Sequence, residues 1–532
     1  MRFRRAAWGL AGMAFALLRT LAAPASDKPV VVGGEKQLFV GPWTEDGRDE
    51  HLVASMRNVT MRTGEAIATG RRVPLPAPGF VVRDGPLFRL YYGAPGVECD
   101  YWNQKLHCNL LRYAESDDGV EWRKPSLGLV EWEGSRDNNI LFPNDDFPYA
   151  VASVGVNTVF VDPNASGPAD RLKASFKLTP PREPDPDDEM EPLPDGKGKY
   201  GFVSDDGIRW KRITGKLGTS GDGGFEPFWD GRIGKYVAYS RVKTFDDPRQ
   251  LAYYHRVYGE REMGWRARLL RMGRSVSDDF IHWTPEEIVL APDEVDEANS
   301  AAPNRVDFYS LPVIQYTSRV YVAFVSIYSH WEAKIKEDGS LSQFPGRADI
   351  QLATSRDGIR WSRSPGRTPF IRLGPEGSFW AGMLFVKRPL PSASDPRMEI
   401  YFDGWQKVHN DPTRTGQPVR GVAVARTDGF IAAEAAYTGG ELTTKPLVFE
   451  GTTLQLNADT GAGGIVQVEI QDESGRPLDG FTAADAGEIN GNYLKVAASW
   501  RGRSDVSGLA GRPVRLRFVM RDARLYSFQF VR

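Results

Sequence analysis

The chain runs to 532 residues, 41% of them hydrophobic, which is too long for one ordinary domain and ample for more than one sizeable core. Its 67 Lys and Arg face 69 Asp and Glu, so no whole-protein field draws it to nucleic acid or to an anionic membrane, and both are excluded as partners on charge. The 14 Trp and 19 Tyr serve cores first, and their faces also stack on the apolar faces of sugars.

The N-terminus carries Arg2, Arg4 and Arg5, then an apolar run from Ala6 to Leu18, then small residues around Ala23, Pro24 and Ala25. This pattern predicts a signal peptide over residues 1–25 and a secreted or periplasmic protein. The run falls short of the ~20 residues a membrane span needs, so no membrane association is expected after cleavage. The two cysteines, Cys99 and Cys108, then meet an oxidising compartment that favours one disulfide, the alternative being two free thiols. The loop so closed holds Trp102, a candidate stacking surface for a sugar.

A turn of constant composition recurs along the chain. Its copies are Ser116-Asp117-Asp118-Gly119-Val120-Glu121-Trp122, Ser204-Asp205-Asp206-Gly207-Ile208-Arg209-Trp210, Ser277-Asp278-Asp279-Phe280-Ile281-His282-Trp283, Ser355-Arg356-Asp357-Gly358-Ile359-Arg360-Trp361 and a degenerate Thr427-Asp428-Gly429-Phe430. Successive copies stand about 70 to 90 residues apart, room each time for four strands. Asp-Gly between apolar residues makes a tight turn, because Gly tolerates positive φ and the Asp side chain bonds nearby amides. The Asp residues of these turns are therefore read as structural, and the Trp as packing between repeats. Period-2 strands precede each turn, among them Phe80–Val82, Leu172–Leu178, Tyr236–Val242, Val320–Tyr328 and Met398–Asp403. Two stretches read as insertions: 180–198, dense in Pro, Asp and Glu, and 253–268, dense in Arg and Tyr. After about Thr438 the texture changes to alternating strands such as Ile465-Val466-Gln467-Val468-Glu469-Ile470. The expected fold class is all-β: a five-bladed β-propeller over residues 37–436, followed by a β-sandwich over 437–532.

With five such turns the propeller region resembles the five-bladed glycosidases of glycoside hydrolase families 32 and 43, whose blades carry a Ser-x-Asp-Gly-x-x-Trp turn. The stretches Leu127-Gly128-Leu129-Val130-Glu131, Asn138-Asn139-Ile140 and Gly234-Lys235-Tyr236-Val237-Ala238-Tyr239 are similar to a group of exported bacterial glycosyl hydrolase-like proteins. The resemblance implies a carbohydrate substrate and an active site where the innermost strands open the central funnel. There, one carboxylic acid protonates the leaving oxygen and a second carboxylate attacks or activates water.

By that resemblance Glu226, in Gly223-Gly224-Phe225-Glu226-Pro227-Phe228-Trp229, is the candidate acid. Asp222 and Asp307 are candidates for base or nucleophile, and Asp49, beside Glu50, substitutes for the early Asp that the first blade lacks. Asn157 stands where the second blade would bring an Asp and can bind a hydroxyl without transferring a proton. Trp380, Asp403 and His409 of the fifth blade are candidate substrate contacts. The alternative is a carbohydrate-binding propeller that has lost one carboxylate, and a propeller used for protein contacts is the third reading. No redox cofactor is implied, no cysteine–histidine cluster suggests a metal, and a structural calcium leaves no spacing signature.

Overall fold

The computed structural model describes residues 28–75, 79–94, 110–142, 150–151, 157–179, 198–217, 224–244, 252, 269–298, 305–331, 345–391, 397–411, 413 and 418–532. Cys99, Cys108, Trp102 and Asp222 lie outside them. The described chain is nearly all β, with α-helix confined to short pieces such as Glu294–Ala298. No described helix is long and apolar enough to cross a membrane.

Four strand positions, paired antiparallel, make a unit that occurs five times. The first unit is Gly79–Asp84, Leu87–Ala94, Leu110–Ser116 and Ile140–Phe142. The second runs Thr158–Val161, Leu172–Thr179, Gly198–Ser204 and Lys211–Lys216, and the third Phe225–Asp230, Lys235–Thr244, Leu269–Ser277 and Glu287–Leu290. In the fourth, Arg305–Phe308 and Val313–Thr317 share the partner Val320–His330, and Gly346–Ser355 and Ser362–Arg363 follow. The fifth has Met383–Val386, Arg397–Trp405 and Val419–Arg426, and its outermost strand is Ala66–Arg72, brought from the far end of the chain.

The repeated turn follows the third strand of each unit, and its chemistry is spent on backbone. Ser116 Oγ accepts the amide of Gly119, and Asp118 Oδ1 accepts those of Val120 and Glu121 at 2.8 and 2.9 Å. Asp206, Asp279 and Asp357 repeat the pattern on their own loops. In the fifth copy the residue with positive φ is Asp428 (64°) rather than Gly429.

Each unit is hydrogen-bonded to the next through these turns or beside them. Tyr91 donates to the Gly207 carbonyl (2.8 Å), Tyr239 to that of Gly358 (2.7 Å) and Tyr401 to that of Gly119 (3.0 Å), the last joining the fifth unit to the first. Tyr236 donates to Asp162 (2.7 Å) between the second and third units, and Tyr316 to Asp428 (2.7 Å) between the fourth and fifth. The turn tryptophans fill the same seams: Trp210 meets Tyr91 and Phe176 edge-on, and Trp361 meets Tyr239.

The third turn carries Phe280, at φ 68°, where the first, second and fourth carry glycine. Tyr91 and Tyr239 stand three residues beyond the partner of their unit's turn serine, and the second unit has Ser175 at that register position. The small Ser175 suits a turn whose bulky Phe280 instead packs on Phe160, Tyr236 and Trp283. Elsewhere the glycine is required: at Gly358 (φ 72°) an added Cβ would stand 2.8 Å from Tyr239 Oη. Gly358→Ala is therefore expected to cost roughly 1–3 kcal/mol, from left-handed strain and displacement of the tyrosine, read as a lower denaturant midpoint.

The remaining strands build one C-terminal sheet around the antiparallel pair Thr453–Asp472 and Val514–Val531. It departs from the boundaries expected at 37 and 436. Val30–Gly33 pairs with Leu447–Phe449, Gln37–Leu38 with the last strand, Val53–Arg57 with Gly440–Thr444, and Val59–Thr63 with Ile431–Ala435. These N-terminal strands complete a sheet whose other members lie hundreds of residues on. One core cluster runs through it into the fourth and fifth units, joining Phe39, Phe324, Ile350, Phe402, Phe430 and Phe528.

Candidate functional site

The innermost strands of the five units surround a cavity of about 570 Å³. Its wall takes Phe80 to Arg83 from the first unit, Asn157 to Val161 from the second, Glu226, Phe228 and Trp229 from the third, Val313 to Gln315 from the fourth and Lys387 to Leu390 from the fifth. Phe225–Asp230 is the edge strand of its unit, paired with Lys235–Thr244 alone among the described strands, which is why Pro227, without an amide proton, is accommodated there. The second and third strands carry the chain back and forth, so the repeated turns lie at one edge of the units and the starts of the innermost strands at the other.

Glu226 is half-buried on the cavity wall. Its strand is gripped from both sides. Lys199 Nζ of the second unit stands 5.8 Å from the Phe225 ring, and Arg388 of the fifth donates to the Pro227 carbonyl at 3.3 Å while lying over the Phe228 ring at 5.5 Å. Burial lowers the pKa of Lys199 to about 7, with the cations Lys177 and Arg241 adding to the effect and Glu226 and Glu286 opposing it. Lys177 and Lys199 face each other directly across neighbouring strands. Burial likewise lowers Lys387 and Arg388, and Glu226 opposes the shift in both. Three cations from two other units thus share the field of one carboxylate.

Asn157, almost fully buried, also lines the cavity, and its Oδ1 accepts the Lys177 amide at 2.6 Å. Asp307 stands at the same edge but in a buried cluster outside the wall: His330 Nε2 lies 2.8 Å and Arg305 3.4 Å from its Oδ2, and Leu270 N donates to Oδ1 at 3.0 Å. Burial works to raise its pKa, and Arg305 and His330 override that to hold it at about 2. The ionised form therefore adds stability that is complete above the ordinary carboxylate value of 3.8 and is lost as pH falls through 2. Asp307→Asn is expected to be costlier at pH 6 than near pH 2, by about 2 kcal/mol in denaturant titrations.

Asp403 and His409 are buried close to the same edge. Asp403 accepts from Arg420 Nε at 3.2 Å, and the ring nitrogens of His409 lie 3.0 Å from Tyr309 Oη and 3.3 Å from Tyr328 Oη. Trp380, the candidate stacking residue, is not among the residues that line the cavity. Its ring packs on Phe379 and Phe402 in the core shared with the C-terminal sheet, away from the cavity wall.

Asp49 is fully buried and its oxygens already accept hydrogen bonds. Oδ2 accepts the amides of Val40 and Gly41 and a 2.9 Å bond from Arg356, and Oδ1 accepts the amides of His51 and Leu52. Arg356 belongs to the fourth turn, and neither it nor Asp49 is among the residues that line the cavity. The residues that sequence reasoning missed are Lys199, Lys387, Arg388 and Arg420. Their signal was a pair of lysines facing across two strands and a Lys-Arg-Pro run at the fifth inner strand. Among the described residues no group of three His, Cys, Asp or Glu is placed to hold a metal ion.

No family model matches the sequence. Over 179 residues it is 29% identical to a sucrose-6-phosphate hydrolase of Escherichia coli, a match that covers 32% of this chain and 31% of that protein. The chain thus spans about a third of the length of the curated relative it matches. Among solved structures, a family 43 arabinoxylan arabinofuranohydrolase from Bacillus subtilis in complex with cellotetraose is 12% identical, with TM-score 0.40, over 88% of this chain and 99% of that one. A thermostable family-43 glycoside hydrolase is 13% identical, with TM-score 0.37, over 72% and 94%. Scores of this size settle neither topology nor activity.

Proposed function

We propose that the five units form a five-bladed β-propeller joined to a β-sandwich, and that the protein, once exported, hydrolyses O-glycosidic bonds of a poly- or oligosaccharide held in the channel. The observation that carries this reading is Glu226 on the wall of a cavity to which all five innermost strands contribute. The closed series of hydrogen bonds from unit to unit supports the propeller, and the stretch shared with a sucrose-6-phosphate hydrolase supports glycoside chemistry. Glu226 is the proton donor, Asp222 supplies the second carboxylate, and Asn157 binds a hydroxyl.

A second reading is favoured by one feature. Glu226 shares the described wall of the cavity with the cations Arg83, Lys387 and Arg388 and with no second described carboxylate that would help a glycosidase acid keep its proton. On that reading the channel holds a glycan without cleaving it. Incubating the protein with a broad panel of neutral and acidic glycans and measuring released reducing ends separates the two. Release from any member supports hydrolysis, and binding without release across the panel overturns it.

A further inference from the structure

We propose, building on the carbohydrate reading above, that the glycan taken into the channel is acidic, and that its oxyanion, a carboxylate, sulfate or phosphate, sits against Lys387 and Arg388 of the fifth unit. The described wall of the cavity carries four charged residues, the cations Arg83, Lys387 and Arg388 and the carboxylate Glu226. Bringing like charges together in a poorly hydrated cavity is unfavourable, and an arriving anion removes that cost in a way that neutral hydroxyls do not.

Two guanidiniums are held as an anion would need them. Arg388 is fixed over Phe228 with one nitrogen on the Pro227 carbonyl, and its Nε is buried with no acceptor among the described residues. Arg420, 1% exposed, has Nε on Asp403, while Nη1 and Nη2 likewise meet no described acceptor. Its Nη2 occupies the space left by Gly79, where an added Cβ would stand 2.7 Å away, so the guanidinium reaches the start of the first unit's innermost strand. A planar guanidinium with free N–H groups matches an oxyanion in both charge and geometry.

Titration calorimetry on the full chain tests the proposal, with oligogalacturonate, chondroitin sulfate oligosaccharides and a hexose phosphate as the acidic arms and galacto-oligosaccharides as the neutral one. At low salt at least one acidic arm is expected to bind about tenfold or more tighter than the neutral arm, to weaken as salt is added, and to lose that advantage in Arg388→Met. The arm that binds tells carboxylate from sulfate from phosphate. Lys387→Met and the conservative Arg388→Lys, each checked by thermal melting, serve if Arg388→Met does not fold. Equal affinity for acidic and neutral glycans, or unaltered acidic binding in the Lys387 and Arg388 variants, overturns the proposal while leaving hydrolysis standing. Tight acidic binding with no bond cleaved in any arm overturns hydrolysis and upholds the acidic ligand. Absence of binding in every arm overturns both.

Discussion

Glu226→Gln is expected to lower kcat/KM for glycan hydrolysis by ~10²–10⁴-fold while leaving the fold intact. Glutamine keeps the size and hydrogen-bonding reach of the side chain and cannot deliver a proton to the departing oxygen. The residue is half-buried on a cavity wall rather than in a core, so its replacement leaves no void and little change in melting temperature. The loss depends on the leaving group. It is largest for alkyl sugars, whose oxygen must be protonated as the bond breaks, and much smaller for an activated aryl glycoside, whose phenolate departs unaided. Steady-state rates on the two substrate types, with the pH profile of each, check the assignment. Equal loss on both would make Glu226 a binding group, and no loss on either would remove it from the reaction.

Asp49→Ala is expected to give the largest loss of stability, about 3–5 kcal/mol, with no direct effect on the channel. The side chain gathers four backbone amides and one arginine into a buried carboxylate. Truncation strands the amide donors and leaves Arg356, which also donates to the carbonyls of Gly41 and Leu38, without its counter-charge. Asp49→Asn should recover part of the loss, because one amide oxygen replaces two. Guanidinium unfolding of the three proteins measures it, and a cost under about 1 kcal/mol for the alanine variant would contradict the assigned role.

The repeated turns were legible because their chemistry is local. A serine, an aspartate and a glycine within four residues close their own hydrogen bonds, and no distant partner is needed to recognise them. Glu226 was singled out by resemblance, and its position in the inner strand Phe225–Asp230 on the cavity wall leaves its role as acid a proposal. The surroundings of Asp49 were not legible because an acidic residue in a loop reads alike whether it faces solvent, substrate or five donors, and one of those donors, Arg356, lies some three hundred residues away. The pairing of the strands between Val30 and Thr63 with strands beyond residue 430 was invisible for the same reason. The basic residues near Glu226 were missed because Lys199, Lys387 and Arg388 come from two different units, and their convergence is a property of the folded chain.

The strand Ala66–Arg72 leaves the ribosome long before Val419–Arg426, the neighbour that completes the fifth unit, and Val30–Gly33 waits longer still for Leu447–Phe449. Until the last strands are made, these segments are open edges with no partner to pair with, in a topology already slow to fold because its contacts span so much chain. Cut after the fifth turn, the chain would keep the partner of Ala66–Arg72 and leave Val30–Gly33, Val53–Arg57 and Val59–Thr63 exposed for good. Yield of soluble protein should therefore collapse on truncation after the fifth turn, even though every residue of the channel wall would still be encoded.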